Sequence, residues 1–330
     1  MFGWTGKILS IDLNSGKHQI IRPEQDIYYK YIGGKGLAGY FLKDYITEAW
    51  DSTGMPLLFF TGPLVNTAAP TSGRMTVMSR SPLTGTVGDA SVGGGFGSQL
   101  KKAGYDGLIL TGKCIRLSGI EITGTDVRIV DSQKLKGHTN SEMSVKLSGK
   151  GALASVGPAA ENGVLFASIA VDNHFFAGRN GLGLVMAGKN LKYITVTGTE
   201  TTQVFDKKEL NGAKEEIFRL TSASPVLMGE SGIANMGTGA LYDLIHARYM
   251  MPTDNFRKTR FDQAGKMNAF SYMQKYHPRR SGCRGCHILC KKTGEGKEVL
   301  PEFETMSHFS ALIGNTSIET VVEANKICNE

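Results

Sequence analysis

Lys7-Ile8-Leu9-Ser10-Ile11-Asp12-Leu13-Asn14-Ser15-Gly16-Lys17 alternates apolar and polar residues, breaks at Asn14-Ser15-Gly16, and resumes toward Ile20-Ile21. Period-two alternation on either side of a turn tripeptide predicts a β-hairpin, and with it a chain that begins on a sheet. The same pattern predicts strands at Leu57–Thr61, Arg74–Ser79, Gly107–Thr111, Arg116–Ile122, Val127–Val130, Val164–Val171 and Tyr193–Thr197. Helical spacing is confined here to Leu37–Tyr45 and Ser98–Ala103. From about Asp206 the period changes: Lys207–Thr221, Gly239–Tyr249 and Ser317–Cys328 read as helices. The polar turn Gly198-Thr199-Glu200-Thr201-Thr202 marks the boundary. The expected class is α+β, with a β-rich domain of two sheets over residues 1–205 and a helical domain over 206–330.

Composition narrows the functions. At 330 residues, 41% hydrophobic and 20% charged, the chain reads as an ordinary globular protein of two domains. A formal charge of +7 could serve nucleic acid, but Lys and Arg are scattered, so an anionic small ligand suits it at least as well and no nucleic-acid partner is expected. The longest apolar runs, such as Leu57-Leu58-Phe59-Phe60, are too short for a membrane span. Met1 to Lys7 has no signal core, so a cytoplasmic, reducing setting is expected, where clustered cysteines act as metal ligands before they act as disulfides. Cys114, alone after a strand, is expected to be a small buried residue.

Glycine is abundant, 42 residues, and it clusters. Thr61-Gly62-Pro63-Leu64 with Pro70-Thr71-Ser72-Gly73-Arg74, then Gly93-Gly94-Gly95-Phe96-Gly97, then Ala177-Gly178-Arg179-Asn180-Gly181-Leu182-Gly183 could each offer backbone N–H groups to an anion. Arg74 and Arg179 would add bidentate contacts to a phosphate. The third stretch does not fit the G-x-G-x-x-G dinucleotide fingerprint, and tight turns in a β-rich domain explain any one stretch equally well.

Ser281-Gly282-Cys283-Arg284-Gly285-Cys286-His287-Ile288-Leu289-Cys290 gathers three of the five cysteines. C-x2-C-x3-C on a tight turn leading into a helix suits an iron–sulfur cluster, which needs a fourth thiolate for a cubane. Zinc held by three Cys and His287, a C-x-x-C-H haem attachment and a purely structural loop remain alternatives.

Taken in order, Trp4-Thr5-Gly6-Lys7, Gly33-Gly34-Lys35-Gly36-Leu37, Thr61-Gly62-Pro63-Leu64, Ser81-Pro82-Leu83-Thr84-Gly85, Ala103-Gly104-Tyr105-Asp106-Gly107, Gly157-Pro158-Ala159-Ala160-Glu161-Asn162 and Gly188-Lys189-Asn190-Leu191-Lys192 resemble the N-terminal portion of the tungsten- or molybdenum-containing aldehyde:ferredoxin oxidoreductases. The resemblance implies a pair of sheets under a tungsten- or molybdenum-bispterin, with Cys283, Cys286 and Cys290 as three ligands of a [4Fe–4S] cluster. It places Arg74 between a pterin and the cluster, and Gly93 and Gly94 beside the pterins. Ser91 stands where the family has an Asn that helps to bind a bridging Mg2+, and a hydroxyl is the weaker ligand. Phe176 falls where a backbone carbonyl meets that Mg2+, in a loop continuing through Gly178 and Arg179. Phe175 replaces a family Arg, a charge that Arg179 could supply. Glu304 matches an acidic residue near the metal, suited to moving a proton. Glu323 matches a residue at a subunit interface.

The family continues past Glu330 into a region with the fourth cysteine, D-x-x-G-L pterin motifs and a His, none of them in this sequence. Cys328 is the spare thiol downstream. The resemblance therefore implies oxidation of an aldehyde with ferredoxin or a similar carrier as acceptor, incomplete in this chain by itself. A partner chain supplying the remainder would complete it, and a homodimer is the other assembly expected. The competing expectation is a non-catalytic iron–sulfur electron-transfer subunit or an inactive fragment.

Overall fold

A computed structural model describes residues 1–296 and 298–330. They divide into two compact units, Met1–Asn211 with Cys283–Gly285 and Glu330, and Gly212–Gly282 with Cys286–Asn329.

The first unit holds two six-stranded sheets, and the class is α+β as expected. The first sheet has the order β2-β1-β6-β3-β4-β5, from β1 (Ile8–Asp12), β2 (His18–Ile21), β3 (Leu57–Thr61), β4 (Met75–Arg80), β5 (Val87–Val92) and β6 (Gly107–Thr111). The second has the order β11-β10-β9-β12-β7-β8, from β7 (Ser118–Thr123), β8 (Asp126–Asp131), β9 (Ala152–Ser155), β10 (Ile169–Val171), β11 (Phe175–Ala177) and β12 (Leu191–Thr197). Each sheet contains one parallel pair, β1 with β6 and β7 with β12.

The opening hairpin forms as its alternation requires, with Ile8 opposite Ile21 and Ile11 opposite His18. Strand β3 shows why both faces of the first sheet are apolar. Successive side chains point to opposite faces, so Leu57 and Phe59 enter the core shared with the second sheet while Leu58 and Phe60 enter another. That second core is closed by Leu37, Ala38 and Leu42 of the helix Gly34–Leu42. The shared core is filled from the second sheet by Ile120, Ile122, Ala154, Ile169, Val171, Ile194 and Val196. Phe96 and Leu100 of the helix Phe96–Lys102 complete it with Leu182, Val185 and Met186 of the helix Leu182–Gly188.

The second unit is a set of short helices around Tyr242, Met267, Tyr272, Met306 and Val321, plus a hairpin of β13 (Arg279–Ser281) and β14 (Lys291–Thr293). The Asn268 side chain accepts from Ser271 N–H at 3.1 Å and caps the helix Ala269–Tyr276. Among the described residues no helix is long and apolar enough to cross a membrane.

Buried lysines are part of the first unit's framework. Lys101 pairs with Asp106 with both side chains fully buried, and Asp106 also accepts from Thr5 and Gly6 N–H at 2.8 to 3.0 Å. Lys189 donates to the carbonyls of Met55, at 2.6 Å, and Gly112, at 3.2 Å. Burial pushes the Lys189 ammonium down from 10.5 to about 8, partly offset by Glu48.

A lysine depressed in the folded state binds fewer protons there than in the unfolded chain between those two values, so its penalty is full below pH 8 and fades as pH rises to 10.5. Urea unfolding between pH 7.5 and 10.5 should show a rise of about 3 kcal/mol from this group. Lys189→Met should remove that share of the rise; an unchanged pH slope in the variant would contradict the assignment.

Candidate functional site

Four of the residues expected at the pterin loops, Arg74, Ser91, Gly93 and Gly94, lie where β5 ends. β4 and β5 pair with Thr76 opposite Ser91 and Met75 opposite Val92, which sets Arg74 beside the end of its partner strand. There Arg74 Nε donates to Ser91 Oγ at 2.9 Å and Nη2 donates to the Ser91 carbonyl at 2.6 Å. Both residues are exposed, and Arg74 Nη1 has no hydrogen bond among the described residues. The guanidinium is thus fixed in direction with part of its donor fork still free.

Gly93 and Gly94 follow and are buried. A Cβ on Gly93 would collide with Cys283 Sγ and come within 2.9 Å of the Phe175 ring. One on Gly94, at φ +91°, would come within 2.8 Å of Val171 and 3.0 Å of Asp172. These glycines are required by the protein's own packing. Gly95 N–H donates to Asp172 Oδ2 at 2.6 Å, and Leu153 N–H donates to Asp172 Oδ1 at 2.9 Å. A carboxylate of the chain, set at the start of the helix Phe96–Lys102, therefore takes the N–H that the glycine pattern offered to a ligand. The neighbouring Asp172 and Asn173 both adopt left-handed backbone, φ 50° and 58°, to make this turn.

Asp172 escaped the sequence reading. The only signal for it was an Asp-Asn pair, a turn dipeptide, between two short apolar runs. Phe175 is explained by the same contacts: its ring covers Gly93 and Gly94, where a charged side chain would be buried unpaired.

Phe176 sits opposite Ala170 in the β10–β11 pair and is half-buried. Gly178 and Arg179 are exposed in the loop that follows. That loop is tied to β5: Asn180 Nδ2 donates to the Asp89 carbonyl at 2.9 Å, and Ser81 Oγ donates to the Asn180 carbonyl at 2.8 Å. Asp89 and Ser91 lie two residues apart on one face of β5, about 7 Å along the strand. The segments carrying Arg74 and Arg179 thus meet the same edge strand.

The cysteine loop departs from the expected turn into a helix. It closes the β13–β14 hairpin, and Cys290 bridges to Ser281 at its base, so β14 follows where a helix was expected. The reason is local: Gly285 at φ +73° and Leu289 at φ 51° reverse the chain. Cys283–Gly285 belong to the first unit, where Cys283 is half-buried against the shared core and the Arg284 backbone fills the space a Cβ on Gly73 would need. Cys286 and Cys290 are half-buried within the second unit. Among the described residues no group of three or more His, Cys, Asp or Glu is gathered around a metal position. His287 Nε2 is engaged with Thr221 Oγ1 at 2.8 Å and its ring lies 4.4 Å from that of Phe218, while Nδ1 is buried with no partner. The hydroxyl therefore occupies one of the two ring nitrogens through which His287 could bind zinc, and among the described residues the other is unpartnered.

Glu304 is exposed in the first turn of the helix Phe303–Phe309, a favourable place for a carboxylate even without chemistry. Glu323 and Cys328 are exposed on the helix Ile318–Asn329. Cys114 is buried, and burial pushes its thiol up.

The donor types suit some implied groups and not others. Arg74 and Arg179 offer cationic donors at an exposed strand edge, which fits a phosphate-bearing pterin. Three thiols offer the soft donors an iron–sulfur cluster needs. Mg2+ at Ser91 does not fit, because its hydroxyl already accepts from a guanidinium whose charge repels a divalent cation.

Residues 8–198 match the family model described as aldehyde ferredoxin oxidoreductase, N-terminal domain, and residues 213–330 match its domains 2 and 3. A tungsten-containing aldehyde ferredoxin oxidoreductase of Pyrococcus furiosus is 33% identical over 341 residues, covering 100% of this chain and 56% of the relative. The Pyrococcus horikoshii protein of the same description is 35% identical with the same coverage. An aliphatic sulfonate oxidoreductase, WOR-like subunit, of Pyrococcus furiosus is 27% identical across 100% of this chain and 57% of its own length. The chain thus spans little more than half the length of these relatives. Among solved structures, a chain of the active-site complex BamBC of benzoyl coenzyme A reductase with 1,5-dienoyl-CoA superposes with a TM-score of 0.86 at 25% identity, over 100% of this chain and 53% of that one.

Asp172→Ala should strand two backbone donors and destabilise the first unit by about 2 kcal/mol in urea unfolding. Amide exchange at Gly95 and Leu153 should accelerate together; acceleration at only one would show that the carboxylate does not bridge them.

Proposed function

The chain belongs to the aldehyde ferredoxin oxidoreductase family, and from that premise we propose that it carries the cofactor-holding part of an oxidoreductase acting on an aldehyde. The observation that supports this most directly is the packing of the Cys283 thiol against Gly93, in the loop that follows the Arg74–Ser91 clamp. One loop thereby brings a soft metal ligand and a fixed cation to the same strand end.

Bound there, a tungsten- or molybdenum-bispterin would supply oxidation of the aldehyde to a carboxylic acid, and a [4Fe–4S] cluster would pass the electrons singly to ferredoxin or a similar carrier. The chain's own contribution is positioning and charge. The free side of the Arg74 guanidinium binds pterin phosphate while Ser91 holds its other side in place, and Arg179 adds a second cation from the loop anchored on Asp89. Cys283, Cys286 and Cys290 hold the cluster, with a fourth ligand from elsewhere. Glu304 accepts or returns the proton that accompanies oxidation, which its exposure to solvent permits. We place the protein in the cytoplasm, as a dimer or with a partner chain that completes the site.

Anaerobic reconstitution with iron and sulfide, followed by metal analysis and EPR, tests this. Iron should be retained with a cluster signal on reduction, and Cys283→Ser should lose most of it. Residues 1–330 alone should oxidise little or no aldehyde. Iron retained equally by a variant with Ser at all three cysteines would overturn the cluster assignment, and robust turnover by the chain alone would overturn the partial-site reading.

A further inference from the structure

A groove of about 430 Å³ opens in the first unit, and none of the pterin, cluster or proton-transfer residues named above lines it. Its accessible apolar surface comes from Ile115, which is exposed, and the half-buried Leu117, while Leu184 and Leu191 are buried. Its rim carries Arg116 and Lys136, both exposed, and neither has an ion-pair partner among the described residues.

The one carboxylate in the lining is already engaged. Glu161 Oε1 accepts from Lys192 Nζ at 2.6 Å and Oε2 accepts from Gly137 N–H at 2.8 Å. Lys192 is fully buried and also donates to the His138 carbonyl at 2.7 Å, so it neutralises Glu161 from beneath. What faces the groove is therefore a net positive charge beside the apolar side chains of Ile115 and Leu117.

That combination selects a chemical class. An apolar molecule would gain nothing from the two cations, and an inorganic anion would leave Ile115 and Leu117 wet. The volume lies within the range of small-ligand sites. We propose that this groove is a second binding site, for a small organic anion with an apolar body, its carboxylate or phosphate head between Arg116 and Lys136 and its body on Ile115 and Leu117. The site makes no use of the pterin loops, so it stands whether or not the chain takes part in aldehyde oxidation.

Calorimetric titration of the 330-residue chain with hexanoate, hexyl phosphate, hexanol and inorganic phosphate tests it. At least one of the two amphipathic anions should bind about 10-fold or more tighter than both hexanol and inorganic phosphate, and the stronger of the pair identifies the head group. The double variant Arg116→Gln, Lys136→Gln should weaken that binding about 10-fold with its thermal melt unchanged, since both side chains are exposed. Ala187→Phe, which fills the groove from the helix Leu182–Gly188, should abolish binding by a separate route. Equal binding of hexanol, binding untouched by either variant, or no binding of either anion at millimolar concentration would each overturn the proposal.

Discussion

There is no room for a side chain at Gly93, and much of the first unit's functional end follows from that. The space beside this residue is taken by the Cys283 sulfur and the Phe175 ring. Its neighbour Gly94 is closed in by Val171 and Asp172. Three pieces of chain far apart in sequence therefore meet at two glycines. They are the end of β5 in the first sheet, the β10–β11 turn of the second, and the cysteine loop. Close approach of backbone is what glycine permits and every other residue forbids. Asp172 then converts proximity into a fixed arrangement, since its two oxygens bind one N–H from each sheet's neighbourhood.

The same economy of buried polar groups recurs through the unit. Lys101, Lys189 and Lys192 are all buried, and each ammonium reaches a carboxylate or backbone carbonyls. A buried charge without such partners would be strongly destabilising. Two of these lysines lie in the run Gly188-Lys189-Asn190-Leu191-Lys192, and Asp106 lies in Ala103-Gly104-Tyr105-Asp106-Gly107. Segments that carried the family resemblance are thus partly structural. Lys189 ties the Met55 and Gly112 carbonyls, and Asp106 ties the N-terminal Thr5 and Gly6 to the helix Phe96–Lys102.

Strands with strong apolar runs were legible in the sequence, and strands with weak ones were not. Leu57–Thr61 and Gly107–Thr111 lie where alternation and bulk placed them. Val87–Val92 carries Gly, Asp and Ser and sits on an edge with one face in solvent, so its local signal is that of a turn. Ala152–Ser155 and Phe175–Ala177 are too short for periodicity to register, and pairing alone makes them strands. Val164–Val171 failed in the other direction: only Ile169–Val171 is strand, because Leu165 and Phe166 remain exposed with no partner strand among the described residues. At the site, Arg74, the glycines and the cysteines were legible as residue types. Asp172 was not, because its role depends on two amides 77 and 19 residues away.

The sequence by itself determined the α+β class, the period change near Asp206, the family, and the residue types able to bind an anion or soft metal. Those properties are local or ordered along the chain, and period, turn chemistry and motif order express them directly. Tertiary structure decided which glycines serve packing instead of a ligand, that the hydroxyl of Ser91 belongs to Arg74, and that the cysteines lie on a hairpin loop. It also decided that Arg116 and Lys136 line one groove with Ile115, Leu117 and a Glu161 paired to Lys192. Each of these depends on which distant atoms reach a donor or fill a volume first, and only the folded chain settles that competition.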